Sequence, residues 1–243
     1  MADSNFNLIF QRVEKKYLLH KDVYELFLQR IAPFMHMDEH GIHTICNIYY
    51  DTEHFDLVRN SIEKPSYKEK LRLRSYGIPG EKDNVFLELK KKYKGTVFKR
   101  RISLKLKEAE NYLEHGIMPQ NKCQILNEIE YFINFYQPTG KVYLAYDREA
   151  YIGNEDSNLR LTIDHNIRSR TYDLDLKMGD YGDPLLNPGE FLLEIKILAA
   201  LPLWLVDILS DLKIYPVSFS KYGNIYKNEL TTSRRKESCL QVS

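Results

Sequence analysis

The sequence predicts an α+β protein: an eight-stranded antiparallel sheet closed into a β-barrel, with helices packed outside it. Three observations lead there. About eight segments alternate charged and apolar residues with the period of two expected of a strand. Helical periodicity is confined to shorter stretches between them. The length, 243 residues, and a hydrophobic content of 43% suit one large domain with a real core. Eight antiparallel strands can close around a narrow interior, and closure removes unpaired edges.

Taken in order, residues 9–19 read as the first strand. Residues 20–34 read as a helix, with Val23, Leu26, Phe27 and Ile31 at helical spacing and Pro33 closing it. Residues 44–51 are Tyr-rich and β-like, and a short helix over about 54–62 follows. Residues 67–76 form a strand ended by Gly77, Pro79 and Gly80. Residues 84–93 and 96–104 form a hairpin around Lys94 and Gly95. A helical region spans about 105–136, with breaks near Gly116 and Pro119. Strands at 141–152, 159–170 and 190–198, a helix at 203–212 and a last segment at 218–229 complete a domain assigned to residues 1–230. The polar tail, 231–243, is expected to be disordered.

Composition excludes several classes. Lys and Arg nearly balance Asp and Glu, leaving a formal net charge of +1, so no general basic surface for nucleic acid is indicated. Cys46, Cys123 and Cys239 are far apart and form no C-x-x-C pair, which argues against a disulfide framework or a structural zinc site. The first residues are polar and charged, with no signal-peptide pattern. The apolar run at 197–209 is interrupted by Pro202 and Asp207 and is too short to span a bilayer. A cytoplasmic protein without a membrane segment is therefore expected.

The near-neutral total hides local clustering. Residues two apart in a strand share a face. Arg12, Glu14 and Lys16 fall on one side of the first strand; Lys70, Arg72 and Arg74 align in the third. Glu88 aligns with Lys90, Lys99 with Arg101, Tyr146 with Arg148, Arg160 with Thr162, and Glu194 with Lys196. One reading is a solvated sheet face. Such faces, however, usually mix Ser, Thr, Asn and Gln, whereas these are mostly Lys and Arg, which repel at this density unless an anion sits among them. Turned into a barrel, they make a strongly positive channel whose Arg forks suit phosphate oxygens. The few Glu side chains are suited to Mg²⁺ or Mn²⁺ bridging phosphates. No P-loop or other glycine-rich phosphate cradle is present, so side chains would hold the phosphates.

The ordered motifs extend this reading. They are R-x-E-K-K-Y-L at residues 12–18, Y-Y-D-T at 49–52, K-L-R-L-R at 70–74, F-L-E-L-K at 86–90 and K-R-R at 99–101. Y-D-R-E-A-Y at 146–151, L-R-L-T-I-D at 159–164, L-L-E-I-K at 192–196 and S-F-S-K-Y at 218–222 complete the set. Together they resemble the VTC domain, the polyphosphate polymerase domain of the triphosphate tunnel metalloenzyme superfamily. The resemblance implies an ATP- and polyphosphate-binding tunnel with Mn²⁺ or Mg²⁺ as cofactor. It places Lys16, Arg72, Arg74, Lys90, Arg148 and Lys221 on phosphates, with Ser220 and Tyr146 as polar partners. Glu194 matches the carboxylate that positions the metal. Lys70, Lys99, Arg101, Arg160 and Lys196 would extend the basic lining. Glu14 and Glu88 would either support the metal or pair with neighbouring cations. The wider superfamily often begins E-x-E-x-K; here Arg12 replaces the first acid, which favours the polymerase branch over the hydrolase branch.

The expected activity is transfer of the ATP γ-phosphate to a growing polyphosphate chain. A tripolyphosphatase or nucleoside triphosphatase, and a non-catalytic polyphosphate-binding module, stand as alternatives. His36, His40 and His43 are expected to be solvated in a loop over 35–43, and Tyr49, Tyr50 and Asp51 to pack the barrel. The apolar stretch at 201–209 reads as a core-packing helix. Asp164 either binds metal or accepts from Arg.

Overall fold

The computed structural model describes residues 13–94, 96–120, 123–198 and 200–230. Residues 9–12 of the expected first strand, Arg12 among them, and the tail at 231–243 lie outside the described residues. Ten strands form one antiparallel sheet. They are β1 (Val13–His20), β2 (Met35–Met37), β3 (His43–Asp51), β4 (Tyr67–Tyr76), β5 (Asn84–Tyr93), β6 (Thr96–Lys105), β7 (Thr139–Gly153), β8 (Arg160–Arg170), β9 (Asp183–Pro184) and β10 (Glu190–Ile197). The helices are α1 (Lys21–Ile31), α2 (Asp56–Ile62), α3 (Leu106–His115), α4 (Gln124–Tyr136), α5 (Leu203–Asp211) and α6 (Lys221–Ile225). The helical region expected over 105–136 is thus two helices. Gly116, at φ 70°, takes the left-handed position that ends α3, where a side chain would be strained.

Eight strands run β1-β10-β8-β7-β3-β4-β5-β6, with short β2 on β7 and β9 on β8. The expected count of eight long strands therefore holds. Of the two short additions, β2 lies in the 35–43 stretch expected to be loop, so that His36 lies in β2 while His43 begins β3. Among the described residues no ladder joins β1 to β6, so the hydrogen-bonded path is open at that seam.

The sheet is nevertheless strongly curled. β1 and β5 stand six places apart, which in a flat sheet is roughly 29 Å at about 4.8 Å per strand. Yet Glu14 of β1 lies 4.0 Å from Lys90 of β5. The segment just before α6 likewise meets both halves: Lys16 of β1 donates to the Phe219 carbonyl at 3.1 Å, and Lys70 of β4 donates to Ser220 Oγ at 3.2 Å.

Two apolar cores lie on the convex side. Leu71, Leu73, Leu87 and Leu89 pack beneath α3 and α4 with Ala109, Tyr112, Leu126, Ile129 and Phe132. Tyr17, Leu19, Leu161, Ile163, Leu193 and Ile195 pack beneath α1 and α5 with Phe27, Ile31, Leu205 and Ile208. The 201–209 stretch is a core helix, as its apolarity implies. A third core of Ile45, Tyr49, Val142, Leu144, Tyr146, Leu192 and Tyr222 fills part of the concave side against α2 and α6. Asp51 serves that end: it accepts from the Leu57 and Val58 amides at the start of α2 and from the Tyr222 hydroxyl.

Candidate functional site

Because alternate side chains of a strand face opposite ways, the leucines of β4 and β5 fix where their charged neighbours go. With Leu71, Leu73, Leu87 and Leu89 in the convex core, Lys70, Arg72, Arg74, Glu88 and Lys90 face the concavity. Lys99 and Arg101 follow from their register with Lys90 and Glu88.

Glu88 is the centre of the first cluster. Arg72 Nε donates to its Oε2 at 2.7 Å, with the Arg72 Nη2 2.6 Å away. Lys99 Nζ lies 2.9 Å from Oε1, Arg101 Nε 3.4 Å from Oε1, and Arg74 Nε 3.9 Å from Oε2. Glu88 is 1% exposed. Burial would raise its pKa, but Arg72, Arg74 and Lys99 outweigh that and hold it at about 2. One carboxylate facing four cations leaves the group in excess positive charge. Of the two roles open to Glu88, pairing with Lys and Arg is the one its geometry takes.

Asp164 centres the second cluster. It is fully buried and accepts a two-pronged contact from Arg148, Nε to Oδ1 at 2.6 Å and Nη2 to Oδ2 at 2.8 Å. Lys221 also donates to Oδ2. Burial pushes the carboxyl up, and Lys221 and Arg148 together hold it well below the usual carboxylate range. Asp164 therefore accepts from Arg.

The third cluster holds two acids. Glu194 has Lys196 3.4 Å and Arg148 3.9 Å from its carboxylate, and Glu14 stands diagonally across from it on the paired strand β1. Burial opposes ionisation of Glu194, but Lys196, Lys16 and Lys221 hold its pKa well below the ordinary value. Glu14 is in turn 3.8 Å from Lys16 and 4.0 Å from Lys90. Thr162, the register partner of Glu194, has a buried hydroxyl with no partner among the described residues.

Polar partners aim the cations. Arg74 donates to Asn47 Oδ1 at 2.9 Å and to the Tyr146 hydroxyl at 3.1 Å; Arg72 donates to the Tyr49 hydroxyl at 3.2 Å. Burial would raise the Tyr49 pKa, but Arg72, Lys70 and Arg74 bring it down to about 8. Lys70 is also brought down to about 8, by burial first and then by repulsion from Lys68, Lys90 and Lys16, against the pull of Tyr49. Ser220 caps α6 by accepting from the Gly223 amide and accepts from Lys70 as well.

Among the described residues, the contacts above gather Lys16, Lys70, Arg72, Arg74, Lys90, Lys99, Arg101, Arg148, Lys196 and Lys221, ten cations, around Glu14, Glu88, Asp164 and Glu194, four carboxylates. The excess is six positive charges. Arg160 is not brought in: it is exposed, and its Nε donates to the Ser157 carbonyl at 3.5 Å. Tyr49, for which only packing was expected, and Asn47, for which nothing was expected, both hold cations of the clusters. The Tyr49 ring does pack, 4.9 Å from Tyr222, while its hydroxyl holds Arg72. Their strand is buried along most of its length, so alternation carries no charge signal there. The three histidines converge on no metal: among the described residues no group of three His, Cys, Asp or Glu side chains is placed to bind one. Nor, among them, is any helix long and apolar enough to cross a membrane.

Comparison with known proteins agrees with this architecture. A family model of the VTC domain matches residues 11–229. A solved structure of a candidate adenylate cyclase from Bacillus halodurans is 17% identical, with 86% of this chain and 93% of that one aligned at a TM-score of 0.54. A candidate adenylyl cyclase from Hippeastrum, described as having a dominant triphosphatase activity, is 16% identical over 89% of this chain and 95% of that one, at a TM-score of 0.53. These likenesses establish a shared fold. No curated protein matches the chain.

Proposed function

The chain belongs to the VTC domain family, and from that premise we propose that it is a polyphosphate polymerase, extending a polyphosphate chain with the γ-phosphate of ATP inside a basic tunnel. The observation that carries the reading is the surplus of cations in these clusters on the concave face, ten against four carboxylates among the described residues. A polyanion relieves that repulsion more completely than any single small anion.

Arg72 and Arg74, fixed by Glu88, Tyr49, Asn47 and Tyr146, form one side of the phosphate channel. Arg148 and Lys221, fixed by Asp164, form the other. Their carboxylate partners hold the cations in place before any substrate arrives, so little reorganisation is needed as charge shifts during transfer. A terminal oxygen of the acceptor chain attacks the γ-phosphorus, the bond from that phosphorus to the β,γ-bridging oxygen breaks, and ADP leaves with the bond's electrons. The attacking oxygen is already ionised at neutral pH, so no general base is required. Lys70, Lys90 and Lys99 hold the acceptor chain, and Lys16 and Lys196 extend the lining.

Glu194 and Glu14 suit a divalent cation. Two hard carboxylates lie diagonally on one face of the paired strands β1 and β10, with the Thr162 hydroxyl, unpartnered among the described residues, opposite Glu194. Glu88 does not suit one, ringed as it is by four cations. Mn²⁺ or Mg²⁺ held by Glu194 and Glu14 would supply charge neutralisation on the phosphates.

The test is incubation of the purified protein with ATP and Mn²⁺, followed by sizing of the products on a gel. ADP together with a ladder of lengthening polyphosphate supports the reading. Orthophosphate without chain growth would convert it to a tripolyphosphatase or nucleoside triphosphatase. Polyphosphate binding without turnover would leave a binding module.

A further inference from the structure

One mouth of the concave face is aromatic. Tyr76 is the last residue of β4, and Phe86 is the register partner of Arg74 on β5. Their rings are 5.6 Å apart and nearly perpendicular, and His43 approaches Tyr76 at 5.7 Å. Neither Tyr76 nor Phe86 belongs to any of the three apolar cores, and Tyr76 is 50% exposed. An aromatic side chain left half-exposed at the rim of a cationic cluster contributes little to packing.

Arg101 joins this rim to the phosphate-facing cations. Its guanidinium carbon sits over the Phe86 ring at 3.5 Å from the centroid, and its Nη2 donates to the Tyr76 hydroxyl at 3.3 Å. Its Nε is 3.4 Å from Glu88 Oε1, yet that buried donor makes no hydrogen bond among the described residues. The Tyr76 and Phe86 rings thus lie beside the cation cluster, on the same sheet face as Arg74 and Glu88, with Arg101 against both. Inorganic polyphosphate has no group for the ring. A nucleoside triphosphate has both a planar base and phosphates.

We propose that Tyr76, backed by Phe86 and Arg101, is the docking face for the nucleobase of the phosphate donor, and that it distinguishes a nucleotide from an inorganic chain at this mouth. The inference rests on the proposed function and adds to it the donor's orientation, base at the Tyr76 rim and γ-phosphate inward. Stacking on a ring reads no base edge, so any nucleobase should be accepted.

The test is calorimetric titration of the full chain with ATP and, separately, tripolyphosphate, in Mn²⁺. Tyr76→Ala should weaken ATP binding about tenfold, the loss of one base–aromatic stack, and leave tripolyphosphate within about twofold. Tyr76→Phe, which keeps the ring, should bind ATP within about threefold of the parent. Equal weakening of both ligands by Tyr76→Ala, or of neither, overturns the inference while leaving the proposed function standing. Failure of the parent protein to bind either ligand would remove the proposed function and this orientation with it. Tyr76 lies half-exposed at a strand end, so loss of its ring should leave the sheet folded, which circular dichroism confirms or denies.

Discussion

Replacing Glu88 by Gln removes the counter-charge of four cations while keeping the side chain's size. Arg72, Arg74 and Lys99 lower the carboxyl's pKa from 4.5 to about 2. At about 1.36 kcal/mol per unit, the fold prefers the ionised form by roughly 3 kcal/mol. Glu88→Gln should therefore lower stability at pH 7 by roughly 3 kcal/mol, or roughly 6–12 °C in melting temperature for a domain of this size. The pH dependence follows from the direction of the shift. A carboxyl with a depressed native pKa stabilises fully above its unfolded value and loses that contribution as pH falls through its native value. The gap between parent and variant should thus be full above pH 4.5 and close between 4.5 and about 2. Tripolyphosphate should restore more stability to the variant than to the parent, because it enters a more positive site. Urea melts across pH, with and without tripolyphosphate, provide the assay. A variant as stable as its parent at pH 7, or a gap that does not shrink in acid, would refute the role given to Glu88.

Lys70 and Tyr49 each have a pKa brought down to about 8, so raising the pH from 7 to 9 takes positive charge out of this pair. Affinity for tripolyphosphate should fall as pH rises from 7 to 9, and Lys70→Arg should flatten part of that fall in a binding titration. Glu194→Gln should abolish Mn²⁺-dependent turnover of ATP while polyphosphate binding persists, as measured by product formation beside a binding assay. Arg148→Met leaves the fully buried Asp164 with Lys221 alone, and a urea melt should show a loss of about 3 kcal/mol.

Much of the concave face was legible from alternation alone. In β4 and β5 leucines at 71, 73, 87 and 89 alternate with Lys, Arg or Glu, so parity names Lys70, Arg72, Arg74, Glu88 and Lys90 without any knowledge of the fold, whereas in β6 Arg100 breaks the alternation and Lys99 and Arg101 follow from the hairpin register. Pairing was not legible. Asp164 and Lys221 are separated by 57 residues, and only the curl of the sheet brings Lys221 onto the carboxylate that Arg148 already holds. The division of labour between Glu14 and Glu88 depends on strand order, because β1 pairs with the distant β10 and so sets Glu14 beside Glu194, while Glu88 lies among cations on its own hairpin. Arg160 shares the right parity but lies at a strand start, where its side chain turns to Ser157. Short strands such as β2, three residues long, are beneath the length at which a period of two can be recognised.

The central claim is that the cations of the curled sheet hold a chain of phosphates. A crystal structure of the protein grown with tripolyphosphate and Mn²⁺ tests it most directly. The account predicts phosphates in contact with Arg72, Arg74, Arg148 and Lys221, and metal density between Glu14 and Glu194. Phosphates bound on the convex surface, with the concave cations still paired only to Glu88 and Asp164, would contradict it.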